Sequence, residues 1–477
     1  MSYNLTIGLE THIELSTKTK MFCGCSTKFG AKPNSQCCPV CLGLPGGLPV
    51  LNKKVVENAI KAGIATGCSI NKLSKLERKN YFYPDLAKAY QISQRYMPVC
   101  KDGHIRLDSG KSIKITDIHI EEDAGKIIYE DGKILIDYNR SGVPLIEIVT
   151  APDFNNAQEA VEYENKLIKI MRHIGISDCR MEEGSVRIDI NVSVSKEDRL
   201  LGTKVEIKNI NSLKNLKRAI IFEKDRQVSI LESLGKVQME TRRFDEKTGK
   251  TQAMRQKENT SDYRYFADPD LPPIKISEDW ICEIKNDMPI SLEKKIKIYK
   301  EKYNIPIKDA ETILKYNKAA YFFEEASKNV KNKTLVINFI LGEVFNVLGS
   351  EKAKQDFNLK IGPGDLERLA LLVEDGKIPF NLARTRLRNL IKTGELDLSF
   401  NLIKEDEIIS IIKTVLKENL DIINEYLKGK TSAIEPLIGK VIRYTSYEAN
   451  PIKVREIMIK LIDNTNTKGK NIDKNRE

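Results

Sequence analysis

The sequence predicts an α+β protein in which a largely antiparallel sheet occupies about the first 290 residues and helices follow. Several segments of the first part alternate between apolar and polar residues, as half-buried strands do. After Pro289 the pattern becomes helical and rich in Lys, Ile and Glu. The elements do not form a regular βαβ series, and neither G-x-G-x-x-G nor a P-loop motif occurs, so a Rossmann or P-loop site is not expected.

Strict alternation predicts three strands, over residues 5–15, 186–195 and 204–208. The polar face of the first strand carries Glu10, His12 and Glu14. A turn at Gly202 separates the other two strands and predicts that they pair antiparallel, as a hairpin or meander.

Apolar residues at helical spacing predict two helices in the same region. One includes Val56 and ends near Gly67, and the other extends from Ala160 to Ile174, where Gly175 suits a C-terminal cap. With 477 residues and about 150 residues per domain, three domains are expected. We place them at residues 1–290, 291–403 and 404–477.

The charge balance favours an anionic partner. Lys and Arg number 78 against 67 Asp and Glu, a net charge of +11, which indicates nucleic acid before membrane. A Lys-rich surface that reflects only genome composition is the alternative. No apolar run reaches 18 residues, and the N-terminus lacks the features of a secretory signal, so a cytoplasmic protein without a membrane span is expected.

Five of the nine cysteines lie between Cys23 and Cys41. Two short hooks, Cys23-Gly-Cys25 and Cys38-Pro-Val-Cys41, can place four thiolates around one tetrahedral zinc ion, which would be structural because no position stays open. Cys37 is a fifth candidate that the spacing alone does not exclude. The alternative is a set of reduced thiols.

Carboxylates concentrate on predicted strands. Glu121, Glu122 and Asp123 end one strand, and Glu147 lies inside the apolar run 145–149. A charged carboxylate there costs several kcal/mol unless it is paired or binds a metal. The sequence therefore indicates a hard divalent cation, most simply Mg²⁺. The alternative is a salt bridge from Glu147 to Arg140 or Arg187.

Two further clusters combine basic and aromatic residues. Residues 79–85 (Lys-Asn-Tyr-Phe-Tyr-Pro-Asp) could form a base-stacking platform or, by the stronger expectation, a hydrophobic corner, with Lys79 as a phosphate ligand. Arg-rich residues 241–266 suit a triphosphate or an RNA backbone, or only ion pairs on the surface.

Together these segments resemble the B subunit of the bacterial tRNA-dependent aspartyl/glutamyl amidotransferase. The motifs that carry the resemblance are residues 8–12, 39–46, 79–85, 121–126, 137–140, 144–149, 184–187, 206–212 and 262–266, with a weaker one at 449–451. Two positions depart from the family pattern. Asp117 stands where Arg is frequent, which removes one possible phosphate contact, and Thr11 replaces a more usual Val.

The resemblance implies a cradle-shaped N-terminal domain, a helical domain and a small all-α tail domain that binds tRNA. It also implies ATP-dependent conversion of Glu-tRNA(Gln) and Asp-tRNA(Asn) to Gln-tRNA(Gln) and Asn-tRNA(Asn), through a phosphorylated aminoacyl intermediate. Ammonia would come from glutamine through a partner, the amidase or A subunit, and the small C subunit would complete a heterotrimer.

The resemblance further implies Mg²⁺ held by His12, Glu122 and Glu147, with Glu10 close by. Lys79 and Arg187 are the expected phosphate contacts. Asp189 is expected to accept a proton or orient ammonia, with an ion pair to Arg187 as the alternative. Two other functions are kept open: a non-enzymatic, zinc-containing RNA-binding translation factor, and a stand-alone amide ligase acting on a small acid.

Overall fold

The protein is described here from a computed structural model that covers residues 3–196, 201–256, 263–394, 404–445 and 449–473. The chain divides into two compact units, Met1–Leu292 and Glu293–Glu477. The first unit contains all the described strands and the second contains helices. The predicted α+β class, a sheet region followed by a helical region, is confirmed.

The strands of the first unit are β1 (Asn4–Glu14), β2 (Ser69–Ile70), β3 (Leu73–Ser74), β4 (Glu77–Asn80), β5 (Tyr90–Ser93), β6 (Cys100–Arg106), β7 (Ser112–Glu122), β8 (Lys126–Glu130), β9 (Lys133–Asp137), β10 (Pro144–Thr150), β11 (Val186–Ser195), β12 (Val205–Ile210), β13 (Glu240–Asp245), β14 (Lys250–Gln256), β15 (Phe266–Ala267) and β16 (Ile274–Lys275). Its helices are α1 (Lys53–Ala65), α2 (Ala157–His173), α3 (Leu213–Glu232) and α4 (Glu278–Asn286).

The described helices of the second unit are α5 (Leu292–Tyr303), α6 (Ile307–Leu314), α7 (Asn317–Ala326), α8 (Lys333–Phe339), α9 (Phe345–Leu348), α10 (Glu351–Asp356), α11 (Pro363–Glu374), α12 (Phe380–Thr393), α13 (Glu405–Lys417), α14 (Leu420–Leu427), α15 (Glu435–Tyr444) and α16 (Pro451–Asp473). From α13 onward they share an apolar core of their own, which includes Ile412, Leu437 and Met458. The predicted boundary at residues 403/404 adjoins residues 395–403, which lie outside the described part, and it stays a prediction.

A nine-stranded sheet, in the order β14-β13-β12-β11-β1-β10-β7-β6-β2, forms the centre of the first unit. Its paired strands are antiparallel except β12 and β13, which are parallel. A smaller sheet, β15-β4-β5, is separate from it. The hairpin predicted from residues 186–195 and 204–208 is the antiparallel pair β11 and β12.

Alternation along β1 gives the large sheet two unlike faces. Leu9 and Ile13 point to the side where α2 and α3 pack, and they join one apolar core with Leu167 and Leu216. Glu10 and His12 point to the other side. The helices end as the sequence predicts, since Gly67 and Gly175 follow α1 and α2 with φ of 69° and 72°.

Among the described residues, no helix combines the length and the apolar composition that a membrane span requires.

Candidate active site

The polar face of the large sheet carries a row of three side chains from neighbouring strands. In the strand register, His12 of β1 is opposite Glu147 of β10, which is opposite His119 of β7. Antiparallel pairing brings such directly opposed side chains close together. Glu147 Oε2 lies 3.2 Å from Nε2 of His12 and 3.2 Å from Nε2 of His119. Asp117 holds the other nitrogen of His119, with Nδ1 and Oδ1 2.8 Å apart.

Glu121 completes this group from the end of β7. One ligand atom from each of His12, Glu121 and Glu147 can be chosen so that all three lie within 4.8 Å of one another. The smaller sheet supports Glu121, because Nε2 of Gln91 donates to its Oε1 at 2.6 Å. Lys79 is the register partner of Gln91, so β4 presents an ammonium group to the same site.

Glu122, the predicted ligand beside His12 and Glu147, lies elsewhere. Its carboxylate accepts hydrogen bonds from Lys88 and from the backbone N–H of Ile92. The reason is the period of two along β7: residues 117, 119 and 121 share the polar face, and Glu122 follows Ile118 and Ile120 to the other side. Glu121 therefore takes the position that the prediction gives to Glu122. The sequence signal is present, since the same alternation continues from Ile118 to Glu122.

Charge compensation in this cluster comes from the two histidines and the lysine. Burial disfavours the charged form of His119, but Glu147 and Asp117 outweigh it and raise the pKa of His119 to about 10. Burial opposes the charge of His12 and Lys79 as well, yet Glu147 raises the pKa of His12, and Glu121 with Glu147 raises the pKa of Lys79. The raised pKa values show that the Glu121 and Glu147 carboxylates favour positive charge here, and a cation bound to His12 would take the place of the His12 proton.

Arg140 and Arg187, the alternative partners of Glu147, both bind Asp123 instead. The distances are 3.2 Å from Nε of Arg140 and 3.0 Å from Nη2 of Arg187 to the Asp123 carboxylate. Glu147 is left to the histidines. The Arg187 side chain as a whole is 34% exposed.

A second oxygen-rich group begins two residues along β1 from His12. There Glu10 is opposite Asp189 of β11, and Glu206 of β12 lies close to both. Here a lysine supplies the positive charge, because Nζ of Lys208 lies 2.6 Å from Asp189 and 3.4 Å from Glu206. The ion pair of Asp189 is thus with Lys208, which the sequence analysis did not identify. Asn191 donates to Glu10 at 2.8 Å, and burial followed by repulsion from Glu147 raises the pKa of Glu10.

The four predicted cysteines converge as expected from the two hooks. One sulfur from each of Cys23, Cys25, Cys38 and Cys41 lies within 4.8 Å of the others. The Sγ atoms of Cys38 and Cys41 are 3.9 Å apart, close to the spacing of about 3.8 Å that four thiolates have around a zinc-sized ion. Cys37 is not part of this group of four: its Sγ lies 3.8 Å from Oδ1 of Asn139, and it interacts with Cys41 from outside the group.

The electrostatics of this cluster favour a thiolate. The pKa of Cys41 is lowered to about 4, chiefly because the thiol of Cys23 donates a hydrogen bond to it. Burial opposes this effect, whereas the N–H of Cys38 and the ammonium of Lys20 add to it. Nζ of the fully buried Lys20 is 3.6 Å from Sγ of Cys41. The four cysteines are therefore a set of soft sulfur ligands that could bind a metal and would leave no coordination position open.

The Arg-rich cluster is partly explained by internal ion pairs. Arg242 contacts Glu240 at 2.6 Å and Glu223 at 3.6 Å, which agrees with the ion-pair alternative for this residue. Residues 257–262, including the first residue of the motif 262–266, lie outside the described part of the chain.

This geometry has two chemically different ligand sets in one unit. Four sulfurs surround one point, whereas one imidazole and two carboxylates surround the other and leave coordination positions open. Open positions beside a hard cation are typical of enzymes that handle phosphate groups. The arrangement of the second ligand set is thus one that a phosphate-handling enzyme could use.

Comparison with known proteins identifies the class and then the family. A family described as "GatB/GatE catalytic domain" matches residues 5–282, and one described as "GatB domain" matches residues 321–462. Similar curated proteins include the B subunit of aspartyl/glutamyl-tRNA(Asn/Gln) amidotransferase from Clostridium novyi, at 47% identity over 96% of this chain and 99% of the relative. The protein of the same name in Caldanaerobacter subterraneus subsp. tengcongensis is 45% identical with the same coverage.

The chain therefore belongs to the family of amidotransferase B subunits, as its motifs indicate. The alternative of a non-enzymatic translation factor receives no support from these matches, which are to a catalytic domain and to subunits of an enzyme.

Proposed function

We propose that this chain is the transamidating subunit of an ATP-dependent aspartyl/glutamyl-tRNA amidotransferase. It would convert Glu-tRNA(Gln), Asp-tRNA(Asn) or both to the amidated forms, together with the amidase subunit and the small C subunit. The observation that supports this most directly is the cluster of His12, Glu121 and Glu147, whose ligand atoms lie within 4.8 Å on one face of the sheet. Since the substrate belongs to translation, we expect the enzyme to act in the cytoplasm.

The chemistry requires positioning and charge neutralisation. The side-chain carboxylate of the misacylated tRNA is ionised at neutral pH, so its attack on the γ-phosphorus of ATP needs no general base. Attack forms the acyl–phosphate bond and releases ADP. Ammonia then adds to the acyl carbon, and phosphate leaves with the C–O bond electrons.

We assign Mg²⁺ to His12, Glu121 and Glu147, with Glu10 nearby, and a structural Zn²⁺ to Cys23, Cys25, Cys38 and Cys41. When bound, Mg²⁺ would neutralise phosphate charge. The carboxylates of Glu121 and Glu147 suit a hard cation, with the His12 imidazole as a less usual nitrogen donor beside them, and the four thiolates suit zinc.

The remaining side chains act by charge and orientation. Lys79 and Arg187 are the cations that would contact the phosphates. Oδ2 of Asp189 is engaged by Lys208, so Oδ1 is the atom that we assign to orient or deprotonate the incoming nitrogen nucleophile. Gln91 fixes the orientation of Glu121.

The experiment is amidation by the reconstituted complex with misacylated tRNA, ATP and glutamine. We expect ATP turnover only when misacylated tRNA is present. Turnover of a small acid without tRNA or partner subunits would instead establish the stand-alone ligase.

A further inference from the structure

The loop between β4 and β5 exposes two consecutive aromatic side chains. Phe82 is 82% exposed and Tyr83 is 55% exposed. The sequence favoured a hydrophobic corner here, in which both rings would be buried. The structure differs, because the loop turns its aromatic tip toward solvent. Burying a ring such as Phe82 would stabilise the fold by roughly 1.5–3 kcal/mol, and the exposed ring does not contribute this free energy.

The loop that carries these rings is anchored on both sides. Asn80 donates to the carbonyl of Arg264 at 2.9 Å, and Tyr138 donates through its hydroxyl to the carbonyl of Pro84 at 2.9 Å. The N–H of Gly125 donates to the carbonyl of Asp85, also at 2.9 Å. The exposed rings are therefore presented by a held backbone.

The stem of the same loop lies in the candidate active site. Lys79 faces Glu121 and Glu147, and its Nζ lies 5.5 Å from the ring centroid of Tyr263. Two residues lie between Lys79 and Phe82, so three Cα-to-Cα steps, at most about 10 Å of extended backbone, join them. The backbone of the aromatic tip therefore lies within about 10 Å of the backbone of Lys79.

The distance between Lys79 and Phe82 along the backbone is similar to the distance between the reacting carbon and the terminal base of an aminoacyl-tRNA. In a glutamyl-tRNA, about nine covalent bonds, roughly 10 Å when extended, separate the reacting side-chain carbon from the terminal base. A base held at the loop tip would thus place the aminoacyl group at the cluster. An exposed pair of rings suits the unpaired end of a nucleic acid, which stacks on aromatic platforms, whereas ATP would be expected in a concave pocket.

We propose, on the basis of the function proposed above, that Phe82 and Tyr83 form the stacking platform for the 3′-terminal base of the misacylated tRNA. The platform fixes the end of the acceptor strand while Lys79, at the stem of the loop, contacts phosphate. The two residues are positioning residues, since they contact the substrate away from the reacting atoms.

The test uses the complete complex and a tRNA whose terminal adenine is replaced by 2-aminopurine, a base whose fluorescence is quenched on stacking. The double variant Phe82→Leu/Tyr83→Leu keeps apolar bulk but removes both π faces. We expect it to lose the quenching and to raise the KM for misacylated tRNA about tenfold to a hundredfold, from the roughly 1–3 kcal/mol of base–aromatic stacking. The KM for ATP should stay within about twofold. Phe82→Tyr should retain the quenching.

Tyr321→Leu is the matched control, because Tyr321 is 64% exposed on α7 and should leave the quenching unchanged. Unchanged quenching in the double variant would overturn the proposal. A rise in the KM for ATP alone would also overturn it, because the rings would then stack on the base of ATP. Loss of the partner subunits on purification would overturn it too, because the rings would then belong to a protein interface. If the wild-type complex quenches but does not amidate, the platform stands and the proposed function fails.

Discussion

The two candidate metal clusters of the first unit differ in chemistry and in how the chain builds them. The sulfur cluster comes from one short segment, in which two hooks close around a point and leave no ligand position open. The acid–histidine cluster comes from β1, β7 and β10, which are distant in sequence and adjacent in the sheet. We therefore propose that the first serves stability and the second serves chemistry.

The largest effect should come from removing the central carboxylate. We expect Glu147→Ala to lower tRNA-dependent ATP turnover by about a thousandfold or more, from the several kcal/mol that a catalytic cation supplies. Zinc content and tRNA affinity should stay within a few-fold of wild type. Turnover that survives the change would show that the cation site is assigned to the wrong residues.

Removing one sulfur should act on folding. We expect Cys38→Ser to lose the bound metal and to lower the free energy of unfolding by about 4 kcal/mol, the stabilisation from a ligand held a thousandfold above its Kd. Metal analysis and denaturant unfolding measure both effects. Cys37→Ser is the control and should keep the metal, because the sulfur of Cys37 is not one of the four that converge. Equal metal loss in both variants would argue against the assigned ligand set.

Glu164 provides a third case, a buried carboxyl group with no cation beside it among the described residues. It lies on α2, fully buried on the opposite side of β1, and accepts a hydrogen bond from Thr11 at 2.6 Å. Its Oε2 has no hydrogen-bond partner in the described part of the chain. Burial raises the pKa of Glu164 to about 7.

The pH dependence of stability follows from that pKa. Between pH 4.5, the ordinary pKa of a glutamate, and pH 7, the folded state retains a proton that the unfolded state releases, so stability falls as the pH rises. The contribution of Glu164 to this loss should be about 3 kcal/mol, and Glu164→Gln should remove that contribution. Urea unfolding at pH 5 and pH 8 measures the difference, with the exposed Glu182→Gln as control. An unchanged slope in Glu164→Gln would contradict this account.

The smallest and most discriminating comparison is between neighbouring residues of β7. Glu121→Gln should weaken Mg²⁺ binding about tenfold to a hundredfold, as changes around metal ligands commonly do. Glu122→Gln should leave Mg²⁺ affinity within about threefold, because that carboxylate binds Lys88 and the N–H of Ile92. Calorimetric titration distinguishes the two, and the reverse order would restore Glu122 as the ligand.

The sequence was sufficient where the chemistry is local. The alternation of residues 186–195 predicted the bounds of β11, and the two cysteine hooks predicted four converging sulfurs. The apolar run around Glu147 also marked that carboxylate as one that requires compensation, whereas His12 was expected as a ligand only from the resemblance to the family.

It was not sufficient where the partner comes from another element. Gln91, Lys208 and the Asp117–His119 pair reach the site through strand register, which one strand's own pattern does not contain. The choice between Glu121 and Glu122 depended on following the period of two to the end of β7. The exposure of Phe82 depended on loop anchors that come from residues 125, 138 and 264.

The most direct test of the central claim is anomalous diffraction from crystals of the protein soaked in Mn²⁺, a substitute for Mg²⁺ with a measurable signal. We predict one strong peak about 2.2 Å from Nε2 of His12 and from carboxylate oxygens of Glu121 and Glu147. A peak at Glu122, or at Glu10, Asp189 and Glu206 with none beside His12, would contradict the account.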